Sequence, residues 1–403
     1  MNILVGILKY PPDYAGDGLR LHRTFQRLRK KSQLEDVYVL TSWDRAAPQK
    51  NEVVDGICIL RDVECTLKRD FRSFSKKIAL LRQIAGMIRS FFEIAPRVDL
   101  VLTSGSGWFP SLVAWLAFFA RKPVVKEIVL LGSDDPRTLQ AAKPFPLRWF
   151  FTQPFRFAKL IIAISPPLEK ACLNWGLPQD KIWCRLNPID IEFPVQPEIA
   201  DSPEPPLILW VGTVSARKNV HFLLKAAAHF KEPVRIWFVG PCADGDYFLG
   251  LQQLQVRLPR HIEVRFTGEI KDMPRLCRLY SRARLFWFAS RSEGMGNVVA
   301  ESLICGTPVV TLPVMDIMKH LLPHAEDGEV VDTEDPEVFA SAAASWLKKK
   351  IDRAGIAARA RERFSAERVD AGYAAWFRKL SHSPLPEKAY GRGAILIPER
   401  ISS

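Results

Sequence analysis

The sequence predicts an α/β protein built from two doubly wound domains. The chain has 403 residues, which is long for a single core of typical size. Short apolar runs alternate with amphipathic stretches in both halves, as in parallel sheets covered by helices on both faces. This pattern is interrupted at the proline-rich stretch EFPVQPEIADSPEPP, residues 192–206. We therefore expect two Rossmann-like domains that face each other across a cleft.

The interruption also sets the expected domain boundaries. A first domain is expected over residues 1–195, a linker over 196–206 and a second domain over 207–370. A C-terminal helix and tail are expected over 371–403, because the apolar periodicity is lost from about Ser381 onward.

Individual elements follow from short apolar runs, which predict strands, and from apolar residues recurring three or four apart, which predict helices. The first half begins with strand ILVGILKY and helix LRLHRTFQRLRKK, followed by strands DVYVLTS, DLVLTSG, KPVVKEIVL and KLIIAIS. The second half reads as strand LILWVG, helix NVHFLLKAAAHF, strands VRIWFVG and EVRFTG, helix MPRLCRLYSRA, strand RLFWFAS, helix NVVAESLIC and strand TPVVTL.

Composition argues against several classes of protein. The seven cysteines are spread over both halves, and no two have the spacing of zinc knuckles or redox motifs, so a reduced cytoplasmic protein is expected. The start, MNILVGILKYPPD, is typical of a first strand rather than a signal peptide. The uncharged stretch 100–120 contains Ser-Gly-Ser-Gly, so we interpret it as a strand, a loop and a buried helix rather than a membrane span.

The strongest functional signal is SEGMGNVVAES, residues 292–302. It follows a predicted strand and crosses a glycine-rich turn into a helix, whose first amides, from Gly296 to Val298, would suit a phosphate. Glu293 and Glu301 would lie at most about 12 Å apart at helical rise. Carboxylates accept hydrogen bonds from sugar hydroxyls. The alternative is that Glu293 stabilises the helix dipole and Glu301 is an ordinary surface acid.

A second element suited to phosphate opens the second domain. Strand LILWVG ends at Gly212, where glycine permits a tight turn, and the loop that follows carries Arg217 and Lys218. These two cations would neutralise a diphosphate leaving group. A solvated basic loop is the alternative, but two such elements in one domain favour a binding site.

Together these motifs resemble the donor domain of the family 4 retaining glycosyltransferases of the GT-B fold. The resemblance covers residues 207–347 and is weaker before the linker, where Pro188 stands in place of a usual glycine. Many members also have arginine where this chain has Thr213. The matching features are the two glutamates separated by seven residues (Glu293 and Glu301), the EG-G turn (Gly294 and Gly296), the strand-glycine-loop-RK element (212–218) and the G-TPVV segment (306–310).

The resemblance implies transfer of a sugar from a UDP- or GDP-sugar with retention of anomeric configuration, without a cofactor or a metal. It implies a catalytic set in which Glu293 contacts hydroxyls of the donor sugar, while Arg217 and Lys218 contact the diphosphate. Glu301 would hold the ribose, and the C-terminal helix would pack on the first domain. The remaining donor-binding residues would be Gly212, Gly268, Gly294, Met295, Gly296, Asn297 and Val298.

Acceptor-side residues are expected on loops of the first domain. The loop from Pro11 to Gly18 would lie at the mouth of the cleft, with Gly16 and Gly18 near the acceptor. Leu21 occupies the third position of a GxGxxG pattern, which argues against a dinucleotide site and therefore against a dehydrogenase. Asp134 is a further candidate, although two acids before a proline are also typical of a turn.

The triplet Asp244-Gly245-Asp246 resembles the metal-binding DxD of another fold class of glycosyltransferase. Its position after a strand favours a turn.

The first half of the chain carries most of the net positive charge. Residues 66–92 and 143–159 are rich in Lys and Arg interleaved with apolar and aromatic side chains, which suits an anionic membrane surface and a lipid-linked acceptor. The alternative is an apolar stripe of Ile78, Leu81, Ile84, Ile88 and Phe92 that packs on the sheet and leaves a solvated cationic face. No recognised nucleic-acid motif accompanies the charge, so we do not expect nucleic acid as a partner.

The sequence therefore predicts a cytoplasmic glycosyltransferase, peripheral on the inner face of the plasma membrane, that acts on a glycan or lipid-linked acceptor. By resemblance, cell-surface polysaccharide or lipopolysaccharide biosynthesis is the expected process. Two alternatives stay open. One is a non-catalytic protein of the same fold that binds a sugar nucleotide or a glycan, and the other is a related metal-free enzyme such as a nucleotide-sugar 2-epimerase or a phosphorylase.

Overall fold

A computed structural model describes residues 1–12, 16–43, 51–64, 74–191, 204–242 and 244–381. The chain divides into two compact units: the first comprises Met1–Asn187 and resumes at Ala366, and the second comprises Pro188–Ser365. The predicted tail after Ser381 and most of the predicted linker lie outside the described residues.

The first unit alternates strands and helices along the chain. Its strands are β1 (Ile3–Ile7), β2 (Val37–Trp43), β3 (Asn51–Val54), β4 (Ile57–Glu64), β5 (Leu100–Ser104), β6 (Val124–Ile128), β7 (Leu160–Ala163) and β8 (Ile182–Cys184). Its helices are α1 (Gly16–Lys30), α2 (Phe74–Ile94), α3 (Trp108–Phe119), α4 (Pro136–Ala142), α5 (Leu147–Phe157) and α6 (Pro166–Asn174).

The eight described strands form one sheet in the order β3-β4-β2-β1-β5-β6-β7-β8. All neighbours are parallel except β3 and β4, which form an antiparallel hairpin. The sequence prediction missed this hairpin, although its turn residues Asp55 and Gly56 both adopt positive φ and are typical of a two-residue hairpin turn. The predicted strand, loop and helix over 100–120 are confirmed as β5 and α3. Among the described residues, no helix is long and apolar enough to span a membrane.

The second unit follows the same plan. Its strands are β9 (Leu207–Val211), β10 (Val234–Val239), β11 (Ile262–Gly268), β12 (Leu285–Phe288), β13 (Val309–Thr311) and β14 (Gly328–Val330). Its helices are α7 (Val220–Ala227), α8 (Gly245–Val256), α9 (Met273–Arg282), α10 (Asn297–Ile304), α11 (Ile317–Leu321), α12 (Pro336–Lys348) and α13 (Arg353–Arg363).

These six strands form a parallel sheet in the order β11-β10-β9-β12-β13-β14. β9 pairs with both β10 and β12. The connection after β9 therefore leads to β10 on one side of it, whereas the connection after β12 leads to β13 in the opposite direction along the sheet. Doubly wound sheets bind ligands at the carboxyl ends of two such strands. The fold therefore places the loops after Val211 and Phe288 side by side at the expected position of a site.

The last described helix, α14 (Ala366–Ser381), belongs to the first unit. Its buried Tyr373 and Phe377 pack in the same core as β1 and α1. Asp370 is buried and accepts two hydrogen bonds from Arg27 of α1, at 2.8 and 3.0 Å. Charge and apolar packing therefore both attach this helix to the first unit, even though the second unit separates it from α1 in sequence.

We expect Asp370→Asn to lower the free energy of unfolding of the first unit by about 2 kcal/mol, because it leaves the Arg27 guanidinium largely buried without its carboxylate. Urea unfolding followed by circular dichroism measures this change. Glu93→Gln is the control, because it removes the carboxylate of the solvent-exposed Arg89–Glu93 ion pair and should leave the transition unchanged. Equal effects of the two substitutions would contradict the role assigned to Asp370.

Candidate active site

The turn that leads into α10 has a backbone that requires glycine. Gly296 precedes the helix with φ of +89°, a conformation that residues with a Cβ rarely adopt. A Cβ at this position would also lie 3.0 Å from Cε of Met318. The predicted residues Gly294, Met295 and Gly296 therefore form a tight turn that brings Asn297 and Val298 into the first turn of α10.

Glu293, on the same loop, contacts both cations predicted for the diphosphate. Its Oε1 lies 2.5 Å from Nζ of Lys218 and 3.2 Å from Nη1 of Arg217. Arg217 also donates to the backbone carbonyl of Ser292 at 2.6 Å. The three predicted catalytic residues thus form one charged cluster, assembled from the loops that follow β9 and β12.

The two cations of the cluster differ in environment. Lys218 is buried, and its ammonium lies 5.5 Å from the ring centroid of Phe288, whereas Arg217 is exposed. Burial lowers the pKa of Lys218, and the adjacent Glu293 carboxylate opposes that shift. The Glu293 carboxylate thus offsets part of the cost of burying the Lys218 ammonium, and a phosphate group in the same place would do the same.

Close backbone approaches align the strand ends around this cluster. The amide of Gly212 donates to Val239, and the amide of Gly240 donates to Gly268, both at 2.9 Å. A Cβ on Gly240 would lie 1.8 Å from the carbonyl oxygen of Gly212, so only glycine fits there. Sequence analysis identified Gly212 and Gly268 but missed Gly240, whose signal is the glycine that ends the strand VRIWFVG.

Glu301 lies on α10 and is bound by a residue that sequence analysis missed. The hydroxyl of Tyr280, from α9, donates to Oε2 of Glu301 at 2.9 Å. Tyr280 is completely buried; burial, and then the Glu301 carboxylate, raise the pKa of its hydroxyl. Glu301 is therefore held in place from within the protein, rather than being an ordinary surface acid.

Asp244 has a structural role. Its carboxylate accepts hydrogen bonds from the amides of Asp246 and Tyr247 and caps the N-terminus of α8. Within the described ranges, no group of three or more His, Cys, Asp or Glu side chains could hold a metal ion.

The candidate acceptor-side residues lie in the first unit. Gly16 and Gly18 are in the first turn of α1, while residues 13–15 of the predicted loop lie outside the described residues. A Cβ on Gly18 would lie 2.6 Å from the carbonyl oxygen of Lys9, so this glycine permits close packing of α1 on the end of β1. Gly16 has open space around it.

Asp134 lies on the loop after β6 and is tied to the loop after β5. Its Oδ1 accepts from the amide of Ser106 at 3.1 Å, and its carbonyl accepts from the Ser106 hydroxyl at 2.7 Å. Burial raises the pKa of Asp134, and the nearby Lys126 opposes that shift. The neighbouring Asp135 caps α4 by accepting from the amide of Thr138.

A buried charged cluster at this edge of the first sheet was not predicted. Glu127, at the end of β6, accepts hydrogen bonds from Arg20 at 2.6 Å, from the Tyr373 hydroxyl at 3.2 Å and from Arg185. The available signal was a Lys-Glu pair inside KPVVKEIVL, because charges in a buried strand require partners. Asp17, in the first turn of α1, lies close enough to interact electrostatically with Arg20, Glu127, Asp134 and Arg185.

Burial is the main cause that raises the pKa of Asp17, to about 6. Folding then disfavours the ionised carboxylate, so its destabilising effect begins near the ordinary pKa of about 4, grows as the pH rises to about 6 and is constant above that. We expect Asp17→Asn to gain stability relative to the native protein by up to about 3 kcal/mol between pH 4 and pH 7. Unfolding free energies of the two proteins at several pH values test this, and a pH-independent difference would contradict it.

Comparison with solved structures shows the fold class of this protein. It aligns with Anabaena HepE, solved with UDP and glucose, with a TM-score of 0.69 and 20% identity over 94% of this chain and 100% of the HepE chain. WaaG, described as a glycosyltransferase involved in lipopolysaccharide biosynthesis, aligns with a TM-score of 0.65 and 16% identity, covering 94% of this chain and 99% of its own. The chain has the GT-B fold, as the sequence predicted.

A family model matches within the second unit. Residues 194–363 match the model of glycosyl transferases group 1. A similar protein is the lipopolysaccharide core biosynthesis glycosyltransferase LpsE of Rhizobium meliloti, 31% identical over 178 residues, which are 43% of this chain and 50% of LpsE. The O-antigen chain mannosyltransferase B of Escherichia coli is 30% identical over 33% of this chain and 34% of its own length. The matches thus span half or less of these curated relatives.

Proposed function

We propose that this protein is a retaining glycosyltransferase that moves a sugar from a UDP- or GDP-sugar to a glycan or lipid-linked acceptor. The observation that carries the proposal is the cluster of Glu293, Arg217 and Lys218 beside the N-terminus of α10. The names of its relatives support lipopolysaccharide or other cell-surface polysaccharide biosynthesis as the process. The UDP bound to HepE supports a nucleotide donor.

The cluster accounts for the stabilisation of a leaving diphosphate. As the bond between sugar and phosphate breaks, negative charge develops on the diphosphate, and fixed cations that are already in place lower the energy of that state. Lys218 and Arg217 supply these charges, and the dipole of α10 adds to them. We therefore propose that transfer proceeds without a bound metal.

Glu293 has two consecutive tasks in this mechanism. Before the donor binds, its carboxylate is the counter-ion that keeps Lys218 charged and fixed. A bound diphosphate then takes over as counter-ion, and the Glu293 carboxylate accepts hydrogen bonds from sugar hydroxyls. Glu301, fixed by the Tyr280 hydroxyl, accepts hydrogen bonds from the ribose. The two glutamates thus set the position of the donor from both ends.

The donor site is tested with a panel of UDP- and GDP-sugars in the presence of EDTA. We expect Lys218→Gln to weaken binding of the preferred donor by about 10- to 150-fold, because a charge-assisted contact contributes about 1.5 to 3 kcal/mol. Glu293→Gln should lower the transfer rate by about 10² or more, with a smaller effect on affinity for the free nucleotide. Lys225→Gln, at an exposed position on α7, is the matched control.

Each other outcome of this experiment has a defined meaning. Nuclear magnetic resonance of the product should show the anomeric configuration of the donor, and inversion would contradict the retaining mechanism. Nucleotide release with an epimerised sugar and no acceptor would indicate the epimerase. Tight donor binding without any transfer would indicate a non-catalytic binding protein, and binding indifferent to Lys218→Gln and Glu293→Gln would refute the site.

We further propose that the first unit binds the anionic inner face of the plasma membrane. Five large apolar side chains at the end of α3 and around the start of α5 are strongly exposed. Lys143, between α4 and α5, and Arg148, in α5, are exposed cations in the same part of the chain. Apolar side chains beside cations suit a bilayer interface. The exposed residues, which we call the aromatic patch, are Phe118, Phe119, Phe145, Leu147 and Trp149.

In helix α2, two residues of the predicted apolar stripe are exposed to solvent. Its buried residues include Met87 and Phe91, while Leu81 and Phe92 of the stripe are 65% and 48% exposed. The alternative interpretation, in which the whole stripe packs on the sheet, is therefore wrong for these two positions. The side chain of Ile78 and residues 65–73 lie outside the described part of the segment 66–92.

We expect Phe119→Ser combined with Phe145→Ser to weaken partitioning onto phosphatidylglycerol vesicles at least tenfold, since each buried aromatic contributes about 1.5 to 3 kcal/mol. Co-sedimentation measures this partitioning. Leu249→Ser, in the second unit, removes a side chain of similar exposure (58%) and should have no effect. Equal binding by the double variant and the native protein would exclude the aromatic patch as the membrane contact.

A further inference from the structure

A chain of buried hydrogen bonds connects the start of α13 to Glu301 of the proposed donor site. Arg353, the first residue of α13, donates from Nη1 to the Thr307 hydroxyl at 3.0 Å. That hydroxyl donates to the backbone carbonyl of Tyr280 at 2.5 Å, and the Tyr280 side chain donates to Glu301 at 2.9 Å. Arg353, Thr307 and Tyr280, which we call the Arg353 network, are all buried, so their polar groups are satisfied within the protein.

Thr307 connects α10 to α9 through both its backbone and its side chain. Its amide donates to the carbonyl of Ser302 at 3.0 Å, and its own carbonyl accepts from the Ser302 hydroxyl at 3.0 Å. Ser302 follows Glu301 directly in α10. A hydroxyl has one proton and two lone pairs, so that of Thr307 accepts from Arg353 and donates to Tyr280 at the same time. Valine has a similar shape and can make neither of these hydroxyl contacts.

The Arg353 guanidinium joins the C-terminal ends of two helices. It donates to the carbonyls of Ser281 and Ala283 at the end of α9, at 3.0 and 2.5 Å. It also donates to the carbonyl of Gly306, just after α10, at 3.5 Å. Carbonyls at helix C-termini have no partner within the helix and carry partial negative charge. One rigid, planar group therefore fixes the end of α9 relative to the end of α10.

The orientation of Glu301 depends on the alignment of these two helices. Tyr280 lies on α9 and Glu301 on α10, so a relative shift of about 1 Å would break the hydrogen bond between them. The Tyr280 ring cannot follow such a shift, because it is completely buried and its centroid lies 5.6 Å from that of Phe286 in β12. A Glu301 side chain released from Tyr280 would lose its fixed orientation, and a ligand would then have to restore that orientation on binding.

We propose that Arg353 and Thr307 are positioning residues that make the donor site select ribose over 2′-deoxyribose. They act through Tyr280, because the alignment of α9 and α10 holds its hydroxyl against Glu301. This inference rests on the function proposed above, in which Glu301 accepts hydrogen bonds from the ribose. It adds the buried residues on which the selectivity of that contact depends.

The selectivity follows from the number of hydroxyls that the sugar presents. Ribose offers two adjacent hydroxyls to the carboxylate, whereas 2′-deoxyribose offers one. A site built to hydrogen-bond a hydroxyl discriminates against an analogue that lacks it. A Glu301 side chain that rotates freely would instead adapt to either sugar or turn toward water. Loss of the Arg353 network therefore weakens binding of the ribonucleotide more than binding of the 2′-deoxy form.

Isothermal titration of the full chain with UDP, 2′-deoxy-UDP, GDP and 2′-deoxy-GDP tests this inference. For the base that the site prefers, the native protein should bind the ribonucleotide at least about tenfold more tightly than the 2′-deoxy form, as expected for one charge-assisted hydrogen bond. Tyr280→Phe and Thr307→Val should each lower this ratio to about threefold or less, while the Kd of the 2′-deoxy form changes less than about twofold. Arg353→Lys should lower the ratio in the same direction, because an ammonium cannot contact both helix ends as the guanidinium does.

Arg359→Lys is the matched control. Arg359 lies on the same helix, but its guanidinium donates to Asp327, outside the Arg353 network. This substitution should lower the Tm, because it weakens a contact to a buried carboxylate, and should leave the ratio of the two Kd values unchanged. If Tyr280→Phe and Thr307→Val also lower the Tm without changing the ratio, the network only stabilises the fold and the inference is wrong.

Failure of the proposed function gives a different result from failure of this inference. If the native protein binds none of the four nucleotides, both are refuted. Saturable binding of UDP or GDP with an equal Kd for the corresponding 2′-deoxy form would be compatible with the proposed function and would overturn this inference alone.

Discussion

The contact between Lys218 and Glu293 depends on β9 and β12 being neighbours in one parallel sheet. The two residues are 75 positions apart, yet their loops leave the same edge of the sheet, so their charged groups lie 2.5 Å apart. The approach of Gly240 to the carbonyl of Gly212 keeps the loops after β9 and β10 close to the strand ends. A side chain at Gly240 would push the loop of Lys218 away from Glu293. The position of the charged side chains thus depends on the close backbone approach of two uncharged residues, Gly212 and Gly240.

The sequence predicted most of the strands and helices around this cluster and the identity of its charged members. Each element of the second unit is a short apolar or amphipathic run bounded by polar residues, and the three charged residues of the cluster lie in the segments between such runs. Tyr280 could not be predicted as a site residue, because its ring fits the apolar face of α9 and only the position of Glu301 reveals the role of its hydroxyl. The hairpin around Asp55 and Gly56 was missed although its turn has a clear signal.

The first unit shows a second reason why sequence patterns fall short. The stretch KPVVKEIVL was predicted as an apolar strand, which is correct, but its charged residues Lys126 and Glu127 are completely buried. The partners of Glu127 come from α1, from the segment after β8 and from α14, which the chain reaches only after completing the second unit. Pairings over such sequence distances leave no local pattern. Lys126 and Glu127 therefore indicate a buried charged cluster, but they do not identify the residues that complete it.

Glu127 and Arg353 are both buried charges, but their surroundings differ in one respect. Glu127 has opposite charges beside it in Arg20 and Arg185, so the cost of removing it from water is offset within the protein. Arg353 instead donates to the backbone carbonyls of Ser281, Ala283 and Gly306 at the C-terminal ends of α9 and α10, so the partial negative charge of two helix ends offsets part of the cost of burying it. At the carboxyl end of β12, Glu293 supplies the negative charge beside the buried Lys218.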